Sequence, residues 1–520
     1  MFPEIITGTA EETKQWVKRV EEGDWWLADA AAVFFGMATA TTGWSKLTNF
    51  WKRGYDPVVF VAKDSYMWQV MSNDDCCKQG EYVYESFAKD PSEVTSNLAK
   101  WHKAADALDK EVRQNRSTDL SALTPEELAL KWKRLTDAIQ LHWEISLVLD
   151  GLYIYTERKL FPQFVKETGL PKKEAMEAFA ALAAVEAPSF LSREQAKLLQ
   201  LCIEVAENPT LLEAAKKKSL GKHAEFAAKA RVHADEFFYK KSTYRNAPEY
   251  ETKDVIALVE EETAKSVDEI RGELKRLENL PKQTRAKREE ILSKIRSSDF
   301  VLKSLGLSRL LAEWQDDRKQ ASMTLMYGAV HLMKEIGARL GQEWEDVACL
   351  TPTEVPEVLC GNKKISQKEL QRRHAFSALV ASGGRATAFF GDDAELLYAA
   401  LMKKSKHETL QLEGMTASLG GSPVVRARCR IVNDPALDPF EEGEILVTSM
   451  TRPEFVPLMK KAAAVVTNEG GLTCHAAIVA REFNLPCIVG TKHATRAFKT
   501  GDLLEVNTRH GKVTKVGASK

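Results

Sequence analysis

The sequence predicts a multidomain protein: a large, mostly α-helical N-terminal domain followed by a compact α/β domain at the C-terminus. Three observations lead there. At 520 residues the chain exceeds what one ordinary core holds. Helix-capping signals and 3.6-residue apolar spacing recur through residues 1–402. After residue 412 the pattern changes to short β-branched runs separated by glycine turns and brief helices. The polar stretch 403–411, containing KKSKHETLQ, reads as a hinge, which gives the division 1–402, 403–411 and 412–520.

Composition narrows the function classes. The 73 Lys+Arg and 74 Asp+Glu nearly cancel, so no basic field points to nucleic acid and no acidic excess points to disorder. The first residues, MFPEIITGTAEETKQW, lack a basic patch ahead of an apolar core, and no secretory signal is expected. The most apolar run, Ala30 to Ala40, is too short to span a bilayer and reads as a buried helix. Eight cysteines without CysXXCys spacing suggest neither a disulfide framework nor a metal site, and fit a reducing cytoplasm. The vicinal Cys76–Cys77 pair is expected to remain unbridged.

Within the N-terminal region, Thr9-Ala-Glu-Glu12 forms a capping box, and Thr124-Pro-Glu-Glu127 is a second helix start with proline at the first helical position. Trp132 to Phe161 reads as one long buried helix. Residues 252–302 carry a charged, heptad-like pattern that predicts a projecting pair of antiparallel helices turning near Asn279-Leu280-Pro281. Ala312 to Leu340 predicts a long helix with a methionine stripe in the core. The only strands expected before the C-terminal domain are Ala375–Ser382 and Arg385–Phe390, a hairpin turning at Gly383-Gly384.

In the C-terminal domain, strands are expected at Val424–Ile431, Glu444–Thr448, Ala463–Thr467, Cys487–Val489, Leu503–Val506 and Lys512–Val516. Helices are expected at 453–461 and 473–483. The stretch TNEGGLTCHAAIVAREFNLPCIVG, from Thr467 to Gly490, carries the chemistry. Gly470 and Gly471 permit backbone angles that point successive N–H groups into one concavity suited to an anion. Thr473 and Cys474 occupy the helix start, where a hydroxyl can cap the helix or contact a phosphate oxygen. His475 sits where the turn becomes a helix, close to the positive end of the helix dipole, and a neutral imidazole there can attack phosphorus. On residue types alone, this histidine is either a phosphoryl carrier or a helix cap.

Asn468 to Glu482, NEGGLTCHAAIVARE, closely resembles the phosphohistidine loop of phosphoenolpyruvate synthase and is similar to those of pyruvate phosphate dikinase and Enzyme I of the sugar phosphotransferase system. Gly443 to Glu454, Met459 to Thr467, Leu485 to Gly490, Thr500 to Asp502 and Gly511 to Val513 resemble the same module, covering roughly residues 412–517. The resemblance to these PEP-utilising enzymes implies a swivelling domain in which His475 is phosphorylated and moves as a rigid body between distant sites. It further implies that Gly470, Gly471, Thr473, Cys474, Thr451 and Arg452 bind the phosphoryl group. Glu469 departs from the basic or neutral residue common at that position.

A looser likeness runs upstream. Trp314 to Leu340, Cys349 to Glu354 and Arg372-Arg373 resemble the helical region of rifampicin phosphotransferase and phenylphosphate synthase subunits. It implies acceptor or docking roles for Asp317, Arg318, Arg372 and Arg373, whose guanidinium groups suit phosphate oxygens. Neither an ATP-grasp nucleotide domain nor a (β/α)8 barrel is expected, since residues 1–400 read as lacking the several strands and glycine-rich phosphate loops of the first and no barrel pattern follows the last strand of the 412–520 module.

The resulting expectation is a phosphohistidine relay subunit of an ATP-dependent phosphotransferase. A separate ATP-grasp subunit would bring ATP and Mg2+, a small molecule would accept the phosphoryl group, and no metal, nucleic acid or membrane would be bound by this chain. His142, His223, His233 and His331 are candidate bases, and Trp25, Trp26, Trp44, Trp143, Tyr153 and Tyr155 candidate lining of an apolar acceptor pocket. The other expectation is a non-catalytic phosphocarrier whose phosphorylated His475 controls docking.

Overall fold

The computed structural model describes residues 2–404, 410–435, 437–451, 455–471 and 474–517. Two compact units emerge, one formed by 1–166, 244–246 and 328–520, the other by 167–243 and 247–327. Arg452 and Thr473 lie outside the described residues, as does most of the expected hinge.

The first unit contains a feature the sequence did not announce, a six-stranded sheet in the N-terminal region. Its strands are β1 (Ile5–Thr7), β2 (Trp25–Ala31), β3 (Val58–Lys63), β4 (Tyr66–Ser72), β5 (Phe376–Ser382) and β6 (Arg385–Phe390), in the order β1-β6-β5-β3-β4-β2. Only β1 and β6 run parallel. The β5–β6 hairpin forms as expected, with Gly383 and Gly384 both at positive φ, the geometry that matches the twist of a two-residue turn. The expectation of no strands before residue 375 is corrected. Val58-Val-Phe-Val-Ala62 is a buried run that pairs with β5, and a turn at Asp64-Ser65, both at positive φ, returns the chain into β4. Helix 10–22, opened by the Thr9 capping box, packs with helix 392–404 on one face of the sheet, burying Val20, Val59, Val61, Val70 and Leu397.

The apolar run from Ala30 to Ala40 is also divided. Its first residues finish β2, and the helix begins only at Phe34 and runs to Ser45. The expected single helix from Trp132 to Phe161 is broken as well. It spans Pro125–Ser146, and after a tight turn at Leu147–Leu149 the left-handed Gly151 redirects the chain. A helix resumes at Leu152–Tyr155, widens into a π-type turn at Thr156–Leu160 and continues over Phe161–Thr168. A π-turn inside a helix often marks a functional position.

The C-terminal domain belongs to the same unit. Its eight strands are β7 (Gln411–Glu413), β8 (Met415–Ser418), β9 (Val424–Ile431), β10 (Ile445–Thr448), β11 (Ala464–Thr467), β12 (Cys487–Val489), β13 (Leu503–Asn507) and β14 (Lys512–Gly517), in the order β7-β14-β13-β9-β10-β11-β12-β8. β9 to β12 form a parallel centre and the flanking strands pair antiparallel. Alternation along β10 and β11 builds two cores: Leu446 and Val465 pack under helices 456–461 and 475–482, while Ile445, Val447 and Val466 face Phe498, Leu504 and Val506.

The second unit is helical, with Lys172–Leu182, Phe190–Glu207, Pro209–Lys216, Ala224–Glu236, Thr252–Glu262, Val267–Lys294 and the first part of Asp299–Leu340. Pro281 lies inside the 28-residue helix Val267–Lys294, so the expected turn at residues 279–281 is corrected. The breaks fall instead at 263–266, where Ser266 and Glu269 form a capping box, and after Lys294. Among the described residues no helix is long and apolar enough to cross a membrane, and all eight cysteines, Cys76 and Cys77 included, are free thiols.

Candidate active site

His475 is the first residue of helix His475–Glu482. Its Nδ1 lies 2.8 Å from Thr451 Oγ1, on the segment that follows β10, and Thr451 is buried. That pairing accommodates the tautomer in which Nδ1–H donates to the hydroxyl and Nε2 carries the lone pair, the form a phosphorus nucleophile needs. Ala476, Ala477 and Ala480 press the helix onto the sheet and fix the imidazole's origin.

The turn before the helix is pinned from several sides. The Asn468 side chain donates to Thr495 Oγ1 at 2.6 Å and accepts from the Thr495 amide at 3.0 Å. Thr467 Oγ1 donates to the Glu469 carbonyl at 2.6 Å, and the Glu469 amide donates to the Ser449 carbonyl at 2.9 Å. Gly470 has φ +105, and a methyl group there would fall 2.7 Å from Cys474 Sγ, so this position requires glycine for both conformation and space. Thus Gly470, Gly471, Cys474, Thr451 and His475 are brought together.

The remaining predicted residues lie elsewhere. Arg372 donates to Glu369 and, at 2.7 Å, to the Phe390 carbonyl. Arg373 is buried against Glu354 and Glu369. Arg318 is buried in the helical unit, which also holds Asp317, His223 and His233, the last paired with Glu194 at 3.0 Å. His142 is buried and accepts from Trp101 Nε1 at 3.2 Å, a core role.

What the sequence did not reveal is the surface that meets the histidine loop. Glu469 points into the N-terminal region, where its Oε2 accepts from Trp26 Nε1 and from the Tyr153 hydroxyl, both at 2.8 Å. Trp26 also donates to Tyr153, and the two rings meet edge-to-face at 6.1 Å. Two of the six aromatic residues expected to line a pocket therefore converge here. Trp44 instead packs on Tyr55, and Tyr155 on Tyr84. Arg245–Asp434 at 3.1 Å and Tyr66–Asn433 at 3.3 Å extend the same docking face.

Glu157, in the π-type turn, completes the surface. A methyl group on Gly471 would come 3.1 Å from Glu157 Oε1, so the glycine admits this carboxylate. Oε1 is enclosed and has no hydrogen-bond partner among the described residues, although the side chain as a whole is half-buried. Burial pushes its carboxyl up to about 7, with Lys492 and Arg158 pulling the other way. Burial likewise pushes Glu469 up to about 8, opposed by the hydrogen bonds from Tyr153 and Trp26 and reinforced by Asp29 and Glu157. Arg496 is the cation that faces Asp29 and Glu469.

For a domain that leaves this face, the upward push of burial on Glu469 predicts pH-dependent docking. Released into water, this carboxyl titrates in the ordinary range near ~4.3; docked, it keeps its proton up to about 8. The docked state therefore holds the extra proton across that window, and docking weakens as pH rises through it. Small-angle scattering is expected to show the radius of gyration growing between pH ~6 and ~8.5, a change that Glu469→Gln flattens.

Among the described residues no cluster of three or more His, Cys, Asp or Glu side chains could hold a metal ion. Residues 440–511 match the family described as "PEP-utilising enzyme, mobile domain". The chain is 37% identical over 186 residues to phosphoenolpyruvate synthase of Pyrococcus furiosus, covering 35% of this chain and 23% of that protein. It is 50% identical over 92 residues to phosphoenolpyruvate synthase of Aquifex aeolicus, covering 18% of this chain and 11% of that one, and 51% identical over 92 residues to that of Helicobacter pylori, covering 18% and 11%. The chain thus spans less than a quarter of the length of these curated relatives. Family, sheet and pinned histidine turn coincide, and residues 440–511 of this chain belong to the mobile domain of the PEP-utilising enzymes.

Proposed function

We propose that the chain is a phosphohistidine relay in an ATP-dependent, dikinase-like phosphotransferase. His475 Nε2 takes a phosphoryl group from a separate ATP-grasp subunit, which brings ATP and Mg2+, and passes it to a small-molecule acceptor. The observation that carries this reading is the placement of His475 at a helix start with Nδ1 held on Thr451. The helix dipole and the glycine turn offer partial positive charge to the transferred group, and one fixed ring nitrogen gives the in-line approach that phosphoryl transfer demands.

The pairing of Glu469 with Trp26 and Tyr153 favours a second reading, in which the charge added at His475 controls docking and no acceptor chemistry follows. Incubating the chain with an ATP-grasp partner and Mg-ATP separates the two. The relay reading expects an acid-labile adduct on His475 that then leaves to a small molecule. An adduct that persists across a metabolite pool supports the docking reading, and no adduct with a competent donor overturns both.

A further inference from the structure

We propose that Glu469 is a latch: its hydrogen bonds to Trp26 and Tyr153 hold the mobile domain in a resting posture that closes His475 Nε2 to a phosphoryl donor, so release of Glu469 sets the rate of loading. Where His475 is the phosphoryl carrier proposed above, docking then governs charging rather than following it.

Both halves of the latch are held rigidly. On the mobile domain, the Glu469 amide donates to the Ser449 carbonyl at 2.9 Å and its carbonyl accepts from Thr467 Oγ1 at 2.6 Å, so its main chain cannot shift without the histidine turn. The Glu469 side chain is buried and takes its two donors, Trp26 Nε1 and the Tyr153 hydroxyl, from the N-terminal region, both at 2.8 Å. There, Trp25 Nε1 donates to the Val20 carbonyl at 2.8 Å, which ties Trp25 to helix 10–22, and strand alternation sends Trp26 to the opposite face of β2. Gly151, at φ +77, turns the chain into helix 152–155 and brings Tyr153 beside Trp26; a methyl group at Gly151 would fall 2.8 Å from Cys76 Sγ. Two donors meet one oxygen, so only a side chain with an acceptor closes the latch.

The same posture encloses the nucleophile. His475 as a residue is half-buried, yet its Nε2 is shut off from solvent. The turn before it is pressed onto the N-terminal region at Glu469, and again at Gly471, where a methyl group would come 3.1 Å from Glu157 Oε1. In-line transfer needs an open path to phosphorus along the nitrogen lone pair, and an enclosed atom offers none. Opening therefore precedes loading. Linkage is reciprocal: docking that opposes the phosphoryl group is opposed by it to the same factor.

Phosphoramidate, a small-molecule phosphoryl donor, tests this on the full chain at one pH, near neutrality, without a donor subunit. Phosphorus NMR follows the His475 adduct and small-angle scattering the radius of gyration. Glu469→Ala is expected to load ~20-fold faster than wild type, and Trp26→Phe and Tyr153→Phe, each removing one donor to Glu469, ~5-fold faster, as two lost hydrogen bonds and one imply. Each gain comes with a larger radius. Glu469→Gln keeps an acceptor oxygen for both rings and is expected to load at the wild-type rate. Loaded wild type is expected to reach the radius of unloaded Glu469→Ala. Trp26 and Tyr153 lie outside the mobile domain, so their variants leave the histidine turn itself unchanged. Acceleration confined to Glu469→Ala would place the effect inside the turn and overturn the latch. Wild-type rates in all three variants, a Glu469→Gln rate equal to that of Glu469→Ala, or a wild-type radius unmoved by loading would overturn it too. Absence of an adduct in every protein, Glu469→Ala included, would instead overturn the relay reading beneath it.

Discussion

Replacing His475 with glutamine is expected to leave the chain folded and docked yet unable to carry a phosphoryl group. Glutamine has similar volume, and its amide can keep a hydrogen bond to the Thr451 hydroxyl, so the helix start and the packing of Ala476 and Ala477 are preserved. It has no nucleophilic nitrogen, because the amide lone pair is delocalised into the carbonyl. Loss of an enzyme's attacking group costs on the order of 10⁶-fold, which in a labelling experiment is complete disappearance of the acid-labile adduct. Thr451→Val is the informative companion: it removes the partner of Nδ1 but keeps the imidazole, so loading should slow without vanishing. Intact-protein mass spectrometry at neutral pH reads both, and an adduct surviving in His475→Gln would relocate the carrier to another side chain.

Arg373→Ala is expected to cost stability rather than transfer. Arg373 grips Glu354 with two bonds of 2.7 and 3.1 Å, reaches Glu369 at 2.9 Å and lies 4.3 Å over the Phe390 ring at the end of β6. Both Arg373 and Glu354 are buried. Removing one partner of a buried pair strands the other, which costs about 3–5 kcal/mol. The lower end applies here, because Lys363 at 2.8 Å and the Thr351 amide at 2.9 Å still hold Glu354. Although burial alone would raise it, Glu354 is held down to about 2 by Arg373 and Lys363. Its contribution is therefore present above the ordinary carboxylate range and lost as pH falls through about 2. The variant should show a lower urea midpoint at pH 7 and an acid transition moved to higher pH, with the rate of His475 loading unchanged. A loading defect at unaltered stability would instead assign Arg373 to the docking face.

The histidine loop was legible in the sequence because its chemistry is local. Two glycines, a helix start and the imidazole lie within six residues, and the turn needs nothing distant to be recognised. The β5–β6 hairpin was legible for the same reason, through Gly383-Gly384. The rest of the six-stranded sheet was not, since β3 finds its partner β5 far along the chain and β2 is written in alanines that serve helices equally well. The run Val58–Val61 after Pro57, followed by alternation in Tyr66–Ser72, is the signal that could have revealed the hairpin. Glu469 stood out as a departure, and Trp26 and Tyr153 as candidate aromatics. Their meeting joins Glu469 to residues 316 and 443 positions away, distances no local pattern bridges. Glu157 carried no signal of its own, being one acid in a charged helical stretch until the π-type turn aims it.

The sheet order also bears on how the protein is made. β3 emerges from the ribosome with its β5 edge bare, and Asp56 waits for Ser382, 326 residues later. At roughly 5–20 residues per second this interval is roughly 15–60 s, during which an apolar strand edge stands open to other nascent chains. Fragments that stop short of β5 inherit that exposure permanently. A soluble N-terminal piece of this protein therefore has to carry residues 376–390 with it, and dissection ahead of β5 would yield aggregate instead of a domain.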